Sequence, residues 1–269
     1  MVLQVPQTQA LTVTWEQLPA DFVLPDDPVE NIQQPLLAAA LTDALAEAGL
    51  VNSDMLLASN FGLVATVNSK TVVKAPDWLF VPKVAPVPPG VVRRSYTPML
   101  EGDPVAVVME FLSETDTGEY SVRPTYPYGK LYFYEHILKV PIYVIFNPSD
   151  GLVEVRQLQD EQYIAQQPDA QGRYWIPELQ LFLGTWYGKR LERTTHWLRW
   201  WDEAGNLLLW SAEKAEQERQ RVEQERQRAE QERQRAEQEH QRAEQERQRA
   251  ETAEAELARL RALLPPSEQ

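Results

Sequence analysis

The sequence predicts an α+β domain with a mixed central sheet flanked by helices, followed by a long charged C-terminal helix. Three patterns support this fold class. Helical and strand-like stretches alternate up to residue 211, some strand-like runs are almost continuously apolar, and a seven-residue repeat occupies the C-terminal part. We therefore predict a globular domain at 1–211, a long helix or coiled coil at 212–264 and a disordered tail at 265–269.

An amphipathic helix is the first regular element that the sequence predicts. Between Pro35 and Ala48, apolar side chains recur every three or four residues, which is the period of one helix face. Pro35 suits the first turn, and Gly49 suits the position after the last turn. The segment before residue 28 is interrupted by prolines and predicts an arm or loop.

Strands are predicted after this helix. The runs DMLLASNFGLVATV and TVVKAPDWLFVP are rich in β-branched and aromatic residues, with Asn68-Ser69 as a turn between them. The proline-rich stretch 82–98 predicts a long loop. The run DPVAVVMEFLS then predicts a strand buried on both faces, although Glu110 interrupts it.

The rest of the globular part predicts one more helix and several strands. Residues 129–138 form a helical pattern that begins beside Lys130. The run VPIYVIFNP predicts a second core strand, LVEVRQL alternates as an outer strand, and short strands follow up to about Trp201. Tryptophans cluster in these last strands, where packing on a sheet face is the expected role.

A heptad repeat with one apolar position per unit fills the C-terminal part. The sequence AEQERQR recurs, and Leu257, Leu260 and Leu264 follow it as a firmer seam. A strict coiled coil has two apolar positions per heptad, so the repeat itself predicts a helix stabilised by pairs of opposite charge. We expect this helix to act as an oligomerisation or partner-binding stalk, with a solvated single helix as the alternative.

Composition excludes several classes of function. The absence of cysteine excludes disulfides and thiolate chemistry, and no apolar run reaches the roughly 20 residues of a membrane span. No signal-peptide pattern is recognisable, so a cytoplasmic protein is expected. The net charge of −14 acts against a dedicated nucleic-acid coat. Motifs for phosphate loops, dinucleotides and hydrolase elbows do not occur.

Two acids and one lysine point to phosphodiester chemistry. Asp77 and Glu110 lie in strand-like runs, and Lys130 opens a helix. Two carboxylates can hold a hard divalent cation that acidifies a water, and a lysine can orient that water or stabilise the charge on phosphorus. The stretches 55–100 and 120–146, which flank these acids, carry more basic than acidic residues.

The same residues also carry a family resemblance. The segments APDWLFV, VVMEFLSETDTGEY and YGKLYFYEHILKVPIYVIFNP resemble the putative restriction endonuclease family of the PD-(D/E)XK nuclease superfamily, and the resemblance runs from about Leu18 to Trp210. The Glu-Gln-Arg repeats resemble extensions that some members carry. The resemblance implies a restriction-endonuclease-like mixed sheet and a magnesium-dependent nuclease site.

The resemblance also implies roles for particular residues. Asp77 matches the motif acid, and Glu110 matches the first residue of the Glu-x-Lys motif. Leu112 stands where that motif has lysine, so the lysine is expected from the following helix, at Lys130. The implied catalytic set is therefore Asp77, Glu110 and Lys130, with Mg²⁺ or Mn²⁺ bound by the two acids and the main-chain carbonyl of Phe111.

Further residues complete the predicted site. Glu30 and Glu119 are candidate auxiliary acids. DNA is the expected substrate, and the predicted contacts to its backbone are Lys83, Arg93, Arg94 and Arg123.

Two other functions remain open at this point. The acidic net charge favours a catalytically inactive nuclease-fold scaffold that oligomerises or recruits partners through the repeat helix. A carbohydrate-active domain built on the tryptophans is the weaker alternative, because the sequence shows nothing that would raise the pKa of a general acid.

Overall fold

The computed structural model describes residues 11–17, 32–113 and 118–262. Glu30, one of the two candidate auxiliary acids, lies outside the described residues, and so does the predicted tail at 265–269. The chain divides into two units, Met1–Ser211 and Ala212–Gln269. In the described part of the chain, no helix has both the length and the apolar character that a membrane crossing requires.

The described residues form three α-helices and thirteen strands. The helices are α1 (Gln33–Glu47), α2 (Lys130–Tyr132) and α3 (Ser211–Ala262), and α2 continues into a π-helical turn at Phe133–Ile137. A 3₁₀ turn at Gly118–Tyr120 precedes α2. The strands are β1 (Val13–Thr14), β2 (Leu56–Ala58), β3 (Gly62–Val67), β4 (Lys70–Lys74), β5 (Trp78–Val81), β6 (Ser95–Tyr96), β7 (Val107–Phe111), β8 (Ile142–Asn147), β9 (Leu152–Gln159), β10 (Gln162–Ala165), β11 (Tyr174–Ile176), β12 (Leu181–Arg190) and β13 (Arg193–Trp201).

A six-stranded mixed sheet forms the centre of the first unit, in the order β10-β9-β8-β7-β5-β2. Strands β7 and β8 are parallel, and the other neighbouring pairs are antiparallel. A parallel pair of strands needs a long crossover connection, and the segment between β7 and β8, which contains α2, supplies it. This arrangement confirms the predicted α+β class and is consistent with a restriction-endonuclease-like fold.

Two smaller sheets accompany the central one. Strands β1, β3 and β4 form an antiparallel sheet, to which β6 adds in parallel beside β3. Strands β11, β12 and β13 form the other, fully antiparallel sheet. The strand LVEVRQL, predicted as an outer strand, is β9 and lies one position inside the edge strand β10.

The two faces of the central sheet bury different clusters. Successive side chains of a strand point to opposite faces, and Trp78 and Met109 pack on one face with α1 and the β11-β12-β13 sheet. Leu79 and Val108 pack on the other face with the α2 segment and β3. Because Glu110 follows Met109 in β7, the same alternation directs its side chain to the α2 face.

Helix α1 forms where the apolar period predicted it. Leu37, Leu41 and Leu45 face the core, each at 1% exposure, because residues four apart lie on one side of a helix. Gly49 follows the last turn with φ of +72°, a conformation that glycine adopts without steric cost. The prediction of a helix at 35–48 is thus confirmed, with a start two residues earlier.

The clustered tryptophans pack as expected for a sheet face. Trp197 and Trp200 of β13 are fully buried, and Trp210 is 3% exposed. The indole N–H of Trp210 donates to the carbonyl oxygen of Ala40 in α1 at 3.0 Å. These side chains therefore fix α1 against the β11-β12-β13 sheet, although Trp175 remains 39% exposed.

Helix α3 is a continuous helix whose described side chains point mainly to solvent. Its stability comes from contacts between neighbouring turns, such as the ion pair of Arg219 with Glu216 and the hydrogen bond from Gln220 to Glu216 at 2.9 Å. Leu257 and Leu260 are 54% and 55% exposed. The helix is confirmed, and its association with a partner stays a prediction.

Candidate active site

Glu110 is the buried centre of the candidate site. It lies in β7, opposite Ile145 of the parallel neighbour β8, and is 0% exposed. Its carboxylate is surrounded by the α2 segment rather than by solvent. A carboxylate in such a position is costly unless hydrogen-bond donors or a cation compensate for the lost hydration.

Asp77 lies directly before β5, at the end of the ladder with β7. Trp78 pairs with Met109 in this antiparallel ladder, so the preceding Asp77 comes opposite Glu110. The sequence predicted Asp77 inside the strand, but Asp77 lies in a bend directly before it. Pro76 has no N–H to donate, so the hydrogen-bond ladder with β7 does not continue beyond this bend. The Asp77 carboxylate accepts a hydrogen bond from the main-chain N–H of Phe111 at 2.6 Å.

Lys130 links two of the acids. It is the first residue of α2, and its Nζ donates to Glu110 Oε2 at 3.2 Å and to Glu119 Oε1 at 3.1 Å. Glu119 belongs to the 3₁₀ turn before α2 and is only 3% exposed. The hydroxyl of Tyr143 donates to the main-chain oxygen of Glu119 at 2.8 Å and so anchors this turn. The structure thus brings Asp77, Glu110, Glu119 and Lys130 together.

Burial and charge shift the proton affinities of this group. Burial raises the pKa of Glu110 from 4.5 to about 8, against the lowering effect of Lys130, and Asp77 raises it further. Burial alone would lower the pKa of Lys130, but Glu110 and Glu119 outweigh it and raise that pKa above its ordinary value. The lysine therefore stays an ammonium, while Glu110 holds a proton readily when no cation is bound.

This shift predicts a pH dependence of stability in chelator. The pKa of Glu110 in the folded protein lies above its pKa in the unfolded chain. The contribution of Glu110 to the free energy of unfolding is therefore complete below about pH 4.5 and is lost as the pH rises through about 8. The loss amounts to at most about 1.4 kcal/mol per pH unit. In urea unfolding with EDTA, we expect the free energy of unfolding of the Glu110→Gln variant to fall less than that of wild type between pH 5 and pH 8.

Glu203→Gln is the matched control, since Glu203 is an exposed acid. Its unfolding free energy should run parallel to that of wild type over the same range. Parallel curves for Glu110→Gln would contradict the raised pKa.

Position 112, where the family motif has lysine, is apolar in this chain. Leu112 packs against the cluster on the α2 face of the central sheet. Its main-chain N–H donates to the carbonyl oxygen of Phe146 at 2.8 Å, which extends the pairing of β7 and β8 by one residue. The ammonium near Glu110 comes from Lys130 instead.

Gly129 sets the approach of Lys130. A Cβ atom at residue 129 would overlap the main-chain oxygen of Ser121, so α2 begins closer to that segment than any other residue would allow. We expect Gly129→Ala to force these segments apart and to lower the free energy of unfolding by about 1–3 kcal/mol. Urea denaturation measures the change, and a midpoint equal to that of wild type would show that the contact is relieved without cost.

Sequence reasoning missed two contacting residues. The hydroxyl of Tyr134, one turn after Lys130, donates to Glu110 Oε1 at 2.8 Å. The side-chain amide of Gln34 in α1 donates to the main-chain oxygen of Phe111 at 2.9 Å. Tyr134 falls one helical turn after the lysine, and this spacing was a usable signal. Nothing in the sequence around Gln34 indicates its contact.

The predicted DNA contacts differ in their surroundings. Lys83, Arg94 and Arg123 are exposed. The guanidinium of Arg93 instead forms an ion pair with Glu101 and donates to the main-chain oxygen of Ala85, so it closes its own loop. The guanidinium of Arg123 makes long contacts to residues that lie close to it in the sequence.

The donor set suits a hard divalent cation. Three carboxylates, those of Asp77, Glu110 and Glu119, face the single ammonium of Lys130. Glu119 Oε2 is buried and has no hydrogen-bond partner among the described residues. Across the described ranges, no group of three or more His, Cys, Asp or Glu side chains is arranged to hold a metal ion. Magnesium is commonly held by one or two carboxylates, with water and phosphate oxygens completing its shell, so Asp77 and Glu110 fit this pattern.

Comparison with known protein families relates the chain to one of them. A family model described as "Uma2: Putative restriction endonuclease" matches residues 23–189, which is more than half of the chain. No curated protein and no solved structure matches the chain. The matched segment includes all four residues of the cluster around Glu110.

Proposed function

Because the chain belongs to the Uma2 family of putative restriction endonucleases, which indicates nuclease activity in general, we propose that it is a metal-dependent endonuclease that hydrolyses DNA. One observation carries this proposal. A fully buried glutamate lies opposite Asp77 on one sheet face and accepts a hydrogen bond from Lys130. Two carboxylates can hold a divalent cation that activates water, and a lysine can stabilise the charge that develops on the phosphate.

Asp77 and Glu110 are the proposed ligands of Mg²⁺ or Mn²⁺. When bound, the cation supplies an acidified water and neutralises charge on the phosphate. The carbonyl oxygen of Phe111 is a further proposed ligand, since an oxygen that accepts one hydrogen bond from Gln34 keeps a second lone pair. Glu119 lies against Lys130 and is proposed as the auxiliary acid that holds it.

Lys130 is the proposed donor to the reacting phosphate. Its raised pKa keeps the ammonium charged at neutral pH, so it can donate hydrogen bonds to the attacking water or to a phosphate oxygen. Its side chain is 25% exposed, in contrast to the buried Glu110. An incoming phosphate can therefore reach the lysine from solvent.

Exposed basic residues are the proposed contacts to the DNA backbone. Lys83, Arg94 and Arg123 are solvent-accessible. Arg93 is proposed to shape its loop, because its guanidinium forms an ion pair with Glu101. The stalk helix α3 is proposed to associate with a second copy through Leu257 and Leu260, which are exposed apolar side chains.

The experiment is a plasmid-nicking assay. Supercoiled DNA is incubated with the purified protein in Mg²⁺, in Mn²⁺ or in EDTA, and the nicked product is quantified. We expect nicking with either metal and none in EDTA. An Asp77→Asn variant purified in parallel controls for contaminating nuclease.

A catalytically inactive scaffold is the second candidate, favoured by the net charge of −14. It predicts no nicking by wild type under any metal condition, together with no heat of Mg²⁺ or Mn²⁺ binding in calorimetry. Nicking by wild type that disappears in EDTA would exclude this alternative.

A further inference from the structure

The phenol of Tyr134 holds Glu110 from the side opposite to its charged partner. Tyr134 Oη donates to Glu110 Oε1 at 2.8 Å, whereas Lys130 Nζ donates to Oε2 at 3.2 Å. The two donors lie four residues apart, one turn along the same helical segment, and so face the same strand. Each carboxylate oxygen of Glu110 thus has its own donor, which fixes the plane of the carboxylate.

The surroundings of Tyr134 keep it a donor. Its ring is 0% exposed and packs on the ring of Tyr143, with 5.3 Å between the centroids. Burial, followed by the charge of Glu110, raises the pKa of Tyr134 well above its ordinary value. At neutral pH the phenol is therefore a neutral hydrogen-bond donor to Glu110.

A hydrogen bond from a neutral donor favours the ionised form of a buried carboxylate. Unlike Lys130, Tyr134 adds no positive charge that would repel a cation. Its contact orients Glu110 and stabilises its charge without competing electrostatically with a metal ion. Residues that hydrogen-bond to a metal ligand in this way typically alter metal affinity 10- to 100-fold when they are removed.

We propose that Tyr134 is a positioning residue of the proposed metal site, which orients the carboxylate of Glu110 for a divalent cation. This inference rests on the proposed function. Tyr134 acts through Glu110 and contacts no reacting atom. The competing role is packing alone, in which the ring matters and the hydroxyl does not.

Tyr134→Phe separates these roles, because it removes the hydroxyl and keeps the ring. Tyr163→Phe is the matched control. Tyr163 also packs on the ring of Tyr143, at 5.7 Å between centroids, and its hydroxyl donates to the main-chain oxygen of Val140 at 2.9 Å. Both variants thus lose one tyrosine hydroxyl contact, but only Tyr134→Phe changes the surroundings of Glu110.

The measurement is calorimetric titration of the full-length protein with Mn²⁺ alone, accompanied by urea unfolding. We expect the Kd of Tyr134→Phe to rise about tenfold or more, and that of Tyr163→Phe to stay at the wild-type value. Wild-type affinity in Tyr134→Phe, while wild type binds Mn²⁺, would overturn this inference and leave the proposed function standing. Equal losses of affinity in both variants would overturn it as well. Failure of wild type to bind Mn²⁺ would overturn the proposed function together with the inference.

Discussion

Asp77→Asn and Glu110→Gln should each lower metal-dependent DNA cleavage by about a thousandfold. Metal ions supply several kcal/mol of charge stabilisation in such reactions, and each 1.36 kcal/mol corresponds to about a tenfold change in rate. Both substitutions keep the size of the side chain and remove the negative charge that would attract the cation. Cleavage rates at saturating DNA, with Mg²⁺ varied, measure the effect.

Metal binding should fail in the same two variants. In calorimetry, each should show little or no heat with Mn²⁺ at concentrations that saturate wild type. Asp103→Asn and Glu203→Gln, which alter exposed acids elsewhere, are the controls and should bind and cleave as wild type does. If Asp77→Asn and Glu110→Gln also cleave at wild-type rates, the proposed ligands are wrong.

Lys130→Met should lower the cleavage rate by about a hundred- to a thousandfold, as the loss of one charged donor to the transition state typically does. Unlike the acid variants, it should retain the divalent cation. Removal of the ammonium beside Glu110 and Glu119 also removes a positive charge that would repel a cation. Rate assays and Mn²⁺ calorimetry on the same preparation would show this separation of cleavage from binding.

Lys189→Met provides the matched control for Lys130. Lys189 also pairs with a glutamate, Glu192, but its side chain is 59% exposed. Lys189 lies in β12, which does not belong to the central sheet that carries Glu110. Its substitution should leave rate and affinity unchanged. A Lys130→Met protein that cleaves normally would remove the lysine from the proposed mechanism, and one that loses metal binding would give it a structural role instead.

Much of the fold was predictable because local patterns and tertiary packing agree. Helix α1 follows from its apolar period, and Asn68 and Ser69 form the predicted turn with positive φ angles of 49° and 59°. The near-continuous apolar run around Glu110 indicated a strand covered on both faces, which β7 is. In each case the local pattern of residue types already matches the surroundings that the fold provides.

The details of the site depended on contacts that the sequence does not specify. The opposition of Asp77 and Glu110 follows from the antiparallel register of β5 and β7, which unites residues 33 positions apart. The burial of Glu119 depends on its turn being anchored by Tyr143. In the sequence Arg93 resembles a free basic residue, but the fold of its loop places Glu101 against it.

The apolar residue at position 112 and the ammonium beside Glu110 belong to different elements of the fold. Leu112 is partly buried and packs against the cluster on the α2 face, while Lys130 lies in α2, twenty residues after Glu110. A substitution at position 112 can therefore change the packing on this face while the ion pair of Lys130 with Glu110 keeps both of its residues. Packing at position 112 and positive charge beside Glu110 can thus be varied independently of each other in this chain.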